Sequence, residues 1–115
     1  MDITVFEDVL FSPLSINTLV DLIATVAPRR RAGIFNLGSK DGMSKADFAY
    51  ALAKVLGLST RTMKRGLSSS VRLHAYRPKD MRMYSTLFEK TFAVNLPTFQ
   101  REVESMQEEY AGVAR

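Results

Sequence analysis

Apolar residues recur at three- and four-residue spacing in four stretches of the chain, and helix punctuation bounds each of them. The clearest carries Phe48, Ala51, Leu52, Val55 and Leu56 on one stripe. Ser44 stands where a cap belongs. Asp47 follows three residues later, a capping-box spacing with Asp in the Glu position. Gly57 is placed to end the helix in a left-handed conformation, and Lys54 sits in the last turn, where a cation suits the helix dipole. The spacing predicts a helix over 44–56. Upstream, Gly33-Ile34-Phe35-Asn36-Leu37-Gly38 is a short apolar run, read as a strand over 33–37 and expected to be the most buried one. The loop Ser39 to Met43 joins the two. Strand, loop, capped helix and glycine stop make half of an α/β unit.

Three more helices follow from the same pattern. One over 15–27 places Ile16, Leu19, Val20, Ile23, Val26 and Ala27 on one face and stops at Pro28. A short one over 85–92 carries Leu87, Phe88, Thr91 and Phe92. The last, over 97–110, carries Phe99, Val103, Met106 and Tyr110. Ile3-Thr4-Val5-Phe6 alternates as a strand does, and Thr60 to Arg65 alternates weakly, which suits a sheet edge or a solvated face. Leu67 to Tyr76 has no clear period and reads as an irregular loop; Arg77-Pro78-Lys79-Asp80 reads as a turn or extended segment. The expectation is one α/β domain with about four helices and two or three short strands.

Composition changes this picture little. The chain has 115 residues, enough for one domain with a small core. With no cysteine and one histidine, His74, neither a disulfide framework nor a zinc site is expected. The net charge of +4 is unevenly spread. Arg29-Arg30-Arg31 follows the first helix; Arg61, Lys64, Arg65, Arg72, Arg77, Lys79 and Arg82 make a basic middle; the last helix carries Glu102, Glu104, Glu108 and Glu109. This distribution favours a local anion site over a duplex-binding surface, so a nucleic-acid partner is not the expectation. No stretch reaches the roughly 20 apolar residues of a membrane span, and the acidic N-terminus is not a signal peptide, so a cytoplasmic protein without a membrane partner is expected.

Tyr50 and Lys54 have the Tyr-x-x-x-Lys spacing of short-chain dehydrogenases, in which the lysine lowers the tyrosine pKa. Here the pair lies on the helix face opposite Phe48, Leu52 and Val55, and no glycine-rich phosphate loop precedes it; the match reads as coincidental. Gly38-Ser39-Lys40-Asp41-Gly42 precedes a helix but lacks the phosphate-loop pattern, so a connecting loop is the plainer reading. Arg77-Pro78-Lys79-Asp80 puts two cations and a carboxylate beside a rigid φ; it suits phosphate recognition or a surface ion-pair turn equally well.

Taken in order, the motifs resemble a family. Phe11-Ser12-Pro13 before a helix, then Gly33 to Gly38, then Met43-Ser44 opening a helix, looks like the later part of extended short-chain dehydrogenases, the NAD(P)-dependent sugar-nucleotide epimerases, dehydratases and reductases. Arg77-Pro78-Lys79-Asp80, Ser85 to Phe92 and Leu96-Pro97 are similar to the C-terminal end of dTDP-4-dehydrorhamnose reductases. The resemblance spans about Ile3 to Tyr110. The chain departs from the family at Tyr84 to Leu87, where an Asp and a Ser-Lys pair are common, and at Thr18, where an Asp is usual.

The resemblance implies that residues 1–115 form a single partial domain: the substrate-binding lobe of a Rossmann-type enzyme, without the dinucleotide loop or a catalytic Tyr-x-x-x-Lys in its proper context. It implies a nucleotide-sugar substrate, bound through Arg77 and, with less weight, Asp80. It implies no cofactor in this chain, with NAD(P) in the complete enzyme, and no catalytic or metal-binding residue here. Either marginal stability or self-association is expected, from apolar surface near Phe6 and along 16–26 that the family packs against a Rossmann domain. The rival reading is a small non-enzymatic module whose basic middle binds an acidic protein or a nucleic acid.

Overall fold

Two serines start the first two helices of the computed structural model, which describes residues 2–71 and 75–113, with side chains through 110. The Ser15 hydroxyl accepts the Thr18 N–H at 3.1 Å and opens α1, Ile16–Val26. The Ser44 hydroxyl accepts the Asp47 N–H at 2.9 Å and opens α2, Lys45–Leu56. Only half of the capping box forms, because the Asp47 carboxylate pairs with Arg65 at 2.8 Å instead of reaching back to Ser44. Gly57 closes α2 at φ 70, a left-handed cap that glycine adopts without a Cβ penalty. The helices α3, Thr86–Phe92, and α4, Phe99–Val113, follow. All four lie within a few residues of the ranges their apolar spacing predicts.

The strands are shorter and more numerous than the pattern suggested. β1, Ile3–Phe6, pairs in parallel with β4, Met63–Gly66. The weakly alternating 60–65 segment therefore forms a strand, but three residues later than it starts, because a Thr60–Met63 turn comes first. A second sheet has the order β3-β2-β5. In it β2, Leu10–Phe11, lies between β3, Met43–Ser44, antiparallel to it, and β5, Asp80–Met81, parallel to it. Strands of two residues are too short to show a period, which is why the sequence does not announce them.

The core is small. Phe88, Phe92 and Leu96 form its buried cluster, with Leu22, Val26, Phe35, Leu37 and Val94 packed against it. Phe35 meets Phe92 edge-on at 5.2 Å between ring centroids, and Phe88 lies 5.0 Å from Phe92. Elsewhere α2 and α4 pack closely, with Ala46, Ala53 and Val103 buried.

Two expectations are corrected. Residues 33–37 are not a strand among the described residues, and they are not the most buried segment: Ile34 is 93% exposed. Phe35 and Leu37 turn toward the core while Ile34 and Asn36 face outward. The alternation is that of a strand, but no strand among the described residues pairs with it. The α1 face also differs. Of the six apolar residues assigned to one stripe, only Val26 packs on the core, beside Leu22; Ile16, Val20 and Ile23 are more than half exposed.

Candidate functional site

β2 is the hub of the candidate site. The Leu10 N–H donates to the Lys79 carbonyl at 2.6 Å, which ties the Arg77-Pro78-Lys79-Asp80 segment to one side of β2. The Lys45 N–H donates to the Val9 carbonyl at 2.9 Å, which ties the start of α2 to the other side. Because β3 runs antiparallel to β2 and β5 runs parallel to it, the residue after β3 and the residues before β5 emerge at the same end of the sheet. Pro78 restricts Arg77 to extended backbone, so its side chain is presented from a stretched segment.

A cavity of about 520 Å³ opens there, lined by Phe6, Val9, Lys45, Ser68, Tyr76, Arg77, Met81 and their neighbours. Arg77 is thus at a cavity wall. Asp80 is not. Its carboxylate takes a two-point contact from the Arg82 guanidinium, at 2.9 Å from Nε and 2.8 Å from Nη2. The Arg82 side chain beside it holds the Asp80 pKa at about 2 and raises that of Arg82 in turn. The structure therefore separates the two candidates: Arg77 lines the cavity, and Asp80 is engaged in an exposed ion pair outside its wall.

Two further cavities offer less to an anion. One of about 360 Å³ is lined by Lys40, Arg82, Asp41, Glu89 and small polar residues. Its cations are already matched, Lys40 to Glu89 at 3.3 Å and Arg82 to Asp80. The other lies between α1 and α4, with Asp21 and Glu102 against Arg101.

Three cations of the basic middle are compensated among the described residues. Arg65 pairs with Asp47, Lys79 with Asp8 at 3.9 Å, and Arg82 with Asp80. Asp8 also accepts from the Ser68 hydroxyl and N–H, which lowers its pKa. Arg72 and His74 lie outside the described residues. Among the arginines after α1, Arg29 donates to the Phe92 carbonyl and so ties the end of α1 to the end of α3.

Tyr50 and Lys54 sit in different surroundings. The Tyr50 hydroxyl donates to the Met63 carbonyl at 3.2 Å, and the Arg65 guanidinium lies 5.0 Å from its ring. On the face opposite the apolar stripe, Tyr50 is half-buried against β4 and Lys54 is exposed. Lys45, by contrast, carries no sequence signal beyond being the first residue of a capped helix. Only the mixed sheet shows that it shares a cavity with Arg77. No cluster of metal ligands occurs among the described residues, and no helix there is long and apolar enough to cross a membrane.

Residues 1–111 match the family model of the RmlD substrate binding domain. No curated protein matches the chain. Among solved structures, a dTDP-4-dehydrorhamnose reductase from Bacillus anthracis in complex with NADP superposes with a TM-score of 0.85 at 17% identity, over 94% of this chain and 38% of its own. The corresponding reductase from Yersinia enterocolitica gives 0.77 at 22% identity, over 90% of this chain and 36% of its own. A dTDP-glucose 4,6-dehydratase from Bacillus anthracis in complex with NAD gives 0.71 at 11% identity, over 96% and 35%. The chain thus spans little more than a third of the length of these solved relatives, and it shares their fold over that part.

Proposed function

The chain belongs to the RmlD substrate-binding domain family, and from that premise we propose that it is the nucleotide-sugar-binding lobe of a dTDP-4-dehydrorhamnose reductase-like oxidoreductase. The observation that carries this reading is the family match along residues 1–111. Arg77 at the wall of the cavity beside β2 supports it, since a guanidinium grips phosphate oxygens in a planar fork. The chain has no glycine-rich dinucleotide loop, which would supply the N–H groups that hold a cofactor pyrophosphate. In this reading NAD(P)H and the catalytic pair belong to other parts of a complete enzyme, which passes hydride to a 4-keto sugar in the cytoplasm. This chain contributes binding and orientation of the sugar nucleotide.

The test is calorimetric titration of the chain with a dTDP-sugar and, separately, with NADPH. The expected result is saturable binding of the sugar nucleotide and none of the cofactor. Binding of NADPH in the micromolar range, with none of the dTDP-sugar, would overturn the reading.

A further inference from the structure

We infer that Lys45 acts with Arg77 as a two-cation anchor for the diphosphate of a nucleoside-diphosphate ligand, in the cavity at the start of β2. This rests on the nucleotide-sugar reading above, which already sets the anion at Arg77, and adds Lys45 as the second cation.

Charge balance singles out this cavity. Among the described residues its wall holds two cations, Lys45 and Arg77, and no carboxylate. The cavity beside α3 sets Lys40 and Arg82 against Asp41 and Glu89, and the one between α1 and α4 sets Arg101 against Asp21 and Glu102. Neither Lys45 nor Arg77 makes an ion pair among the described residues, whereas Lys40, Arg65, Lys79 and Arg82 each do. Two uncompensated cations on the wall of one cavity repel, and an anion bound in that cavity offsets the repulsion. A diphosphate carries that charge over a span that two separate side chains can share.

The backbone holds both cations in place. Lys45 follows β3 directly and is tied to Val9; Arg77 precedes β5, which is tied to β2 at Leu10. The two positions are 32 residues apart in sequence, yet they flank one end of one strand. The Lys45 ammonium lies 5.9 Å from the centre of the Phe11 ring, which is not part of the cavity wall, so its flexible stem carries it to an anion there. The rest of the wall is chemically different. Phe6, Val9 and Met81 are apolar, and Tyr76, which is 91% exposed, stands at the rim. A cationic part beside an apolar and aromatic part matches a ligand with a charged linker and a flat ring.

The experiment uses the chain itself, followed by amide NMR at up to millimolar concentrations of three probes: dTDP, inorganic pyrophosphate and thymidine. dTDP and pyrophosphate should shift resonances around Val9, Lys45 and Arg77, and thymidine should do so far more weakly. Lys45→Ala and Arg77→Ala should each weaken dTDP about tenfold or more, as loss of a charged hydrogen bond does. Each should also flatten the dependence of affinity on salt, and Lys45→Arg should retain most of the binding. Tyr76→Ala should weaken dTDP and leave pyrophosphate unchanged. All four variants should keep the wild-type melting temperature, because these side chains are exposed. If dTDP binds and depends on Arg77 but not on Lys45, the two-cation anchor is wrong and the nucleotide-sugar reading stands. If neither dTDP nor pyrophosphate shifts these residues, the anchor is wrong, while a dTDP-sugar bound elsewhere on the chain would leave the broader reading intact.

Discussion

The Thr18 hydroxyl donates to the Glu102 carboxylate at 2.6 Å, across the junction of α1 and α4. The second oxygen of the same carboxylate accepts the Ser15 N–H at 2.7 Å, and Glu102 is only 6% exposed. A buried carboxylate thus satisfies the start of α1 from 84 residues away. It also gives physical content to the departure from the family at Thr18. An aspartate there would bring a second carboxylate against Glu102, and two like charges at hydrogen-bonding distance disfavour each other.

Removal of the acceptor should therefore be expensive. Glu102→Ala removes the acceptor of the Ser15 N–H and of the Thr18 hydroxyl proton and should destabilise the chain by about 1.5–3 kcal/mol. Thr18→Val removes two hydrogen bonds, the one to Glu102 and the one from the Ser15 hydroxyl, and should cost about 1–2 kcal/mol. Thr18→Asp should cost more than Thr18→Val, and Glu102→Gln should relieve part of that excess. Urea unfolding of the five proteins reads these differences. Equal stability of Thr18→Asp and Thr18→Val would mean that the carboxylate is solvated in solution.

Asp80 supplies a pH prediction. Its carboxyl is depressed in the folded chain from 3.8 to about 2, chiefly by the hydrogen bonds from the Arg82 side chain and backbone. A depressed acid contributes stability above its unfolded pKa and loses it as pH falls through the folded value. The ion pair should therefore persist at pH 4 and vanish as pH falls toward 2. Carbon-detected NMR titration of the Asp80 carboxyl should show that low midpoint, and Arg82→Ala should return it toward 3.8. A wild-type midpoint at the ordinary value would show that the Asp80–Arg82 fork does not hold in solution.

Tyr50 should matter for stability alone. Its hydroxyl satisfies the Met63 carbonyl at the start of β4. Tyr50→Phe should cost about 1 kcal/mol, the net worth of one hydrogen bond, and should leave dTDP-sugar binding unchanged. Lys54→Ala should alter neither, since Lys54 projects to solvent. A loss of ligand affinity in either variant would bring the Tyr-x-x-x-Lys spacing back as a functional feature.

The helices were legible because each carries its own instructions. Ser15, Ser44 and Gly57 act on neighbours within a few residues, and apolar spacing survives whatever the helix packs against. Arg77 was legible as a candidate through its resemblance to a family motif. Lys45 was not, because its role depends on β2 lying between β3 and β5, a pairing of two-residue strands with no period to read. Ile34 was misjudged for a related reason. An apolar run is evidence that a segment has something to cover it, and it does not say that the cover lies in the same 115 residues.

The last prediction concerns that uncovered surface. α1 is apolar on two sides. Leu22 and Val26 pack against the aromatic cluster, while Ile16, Val20 and Ile23 are 78%, 56% and 53% exposed on the other side. Their spacing of four and three residues makes them one continuous ridge, and exposed ridges of this kind promote association. The solved reductases are more than twice as long as this chain, so their folds contain further surface against which such a ridge can pack. Alone, the chain should associate through it. Sedimentation velocity across a hundredfold range of concentration should show a rising average mass. Ile16→Lys together with Ile23→Lys should abolish that rise and leave the melting temperature within a few degrees of wild type, because neither side chain is in the core. A mutation on the inner side, Leu22→Lys, should instead unfold the chain, since it drives a charge among Phe88, Phe92 and Leu96. A chain that stays monomeric at every concentration would mean that the ridge is tolerated in water and is not a contact surface.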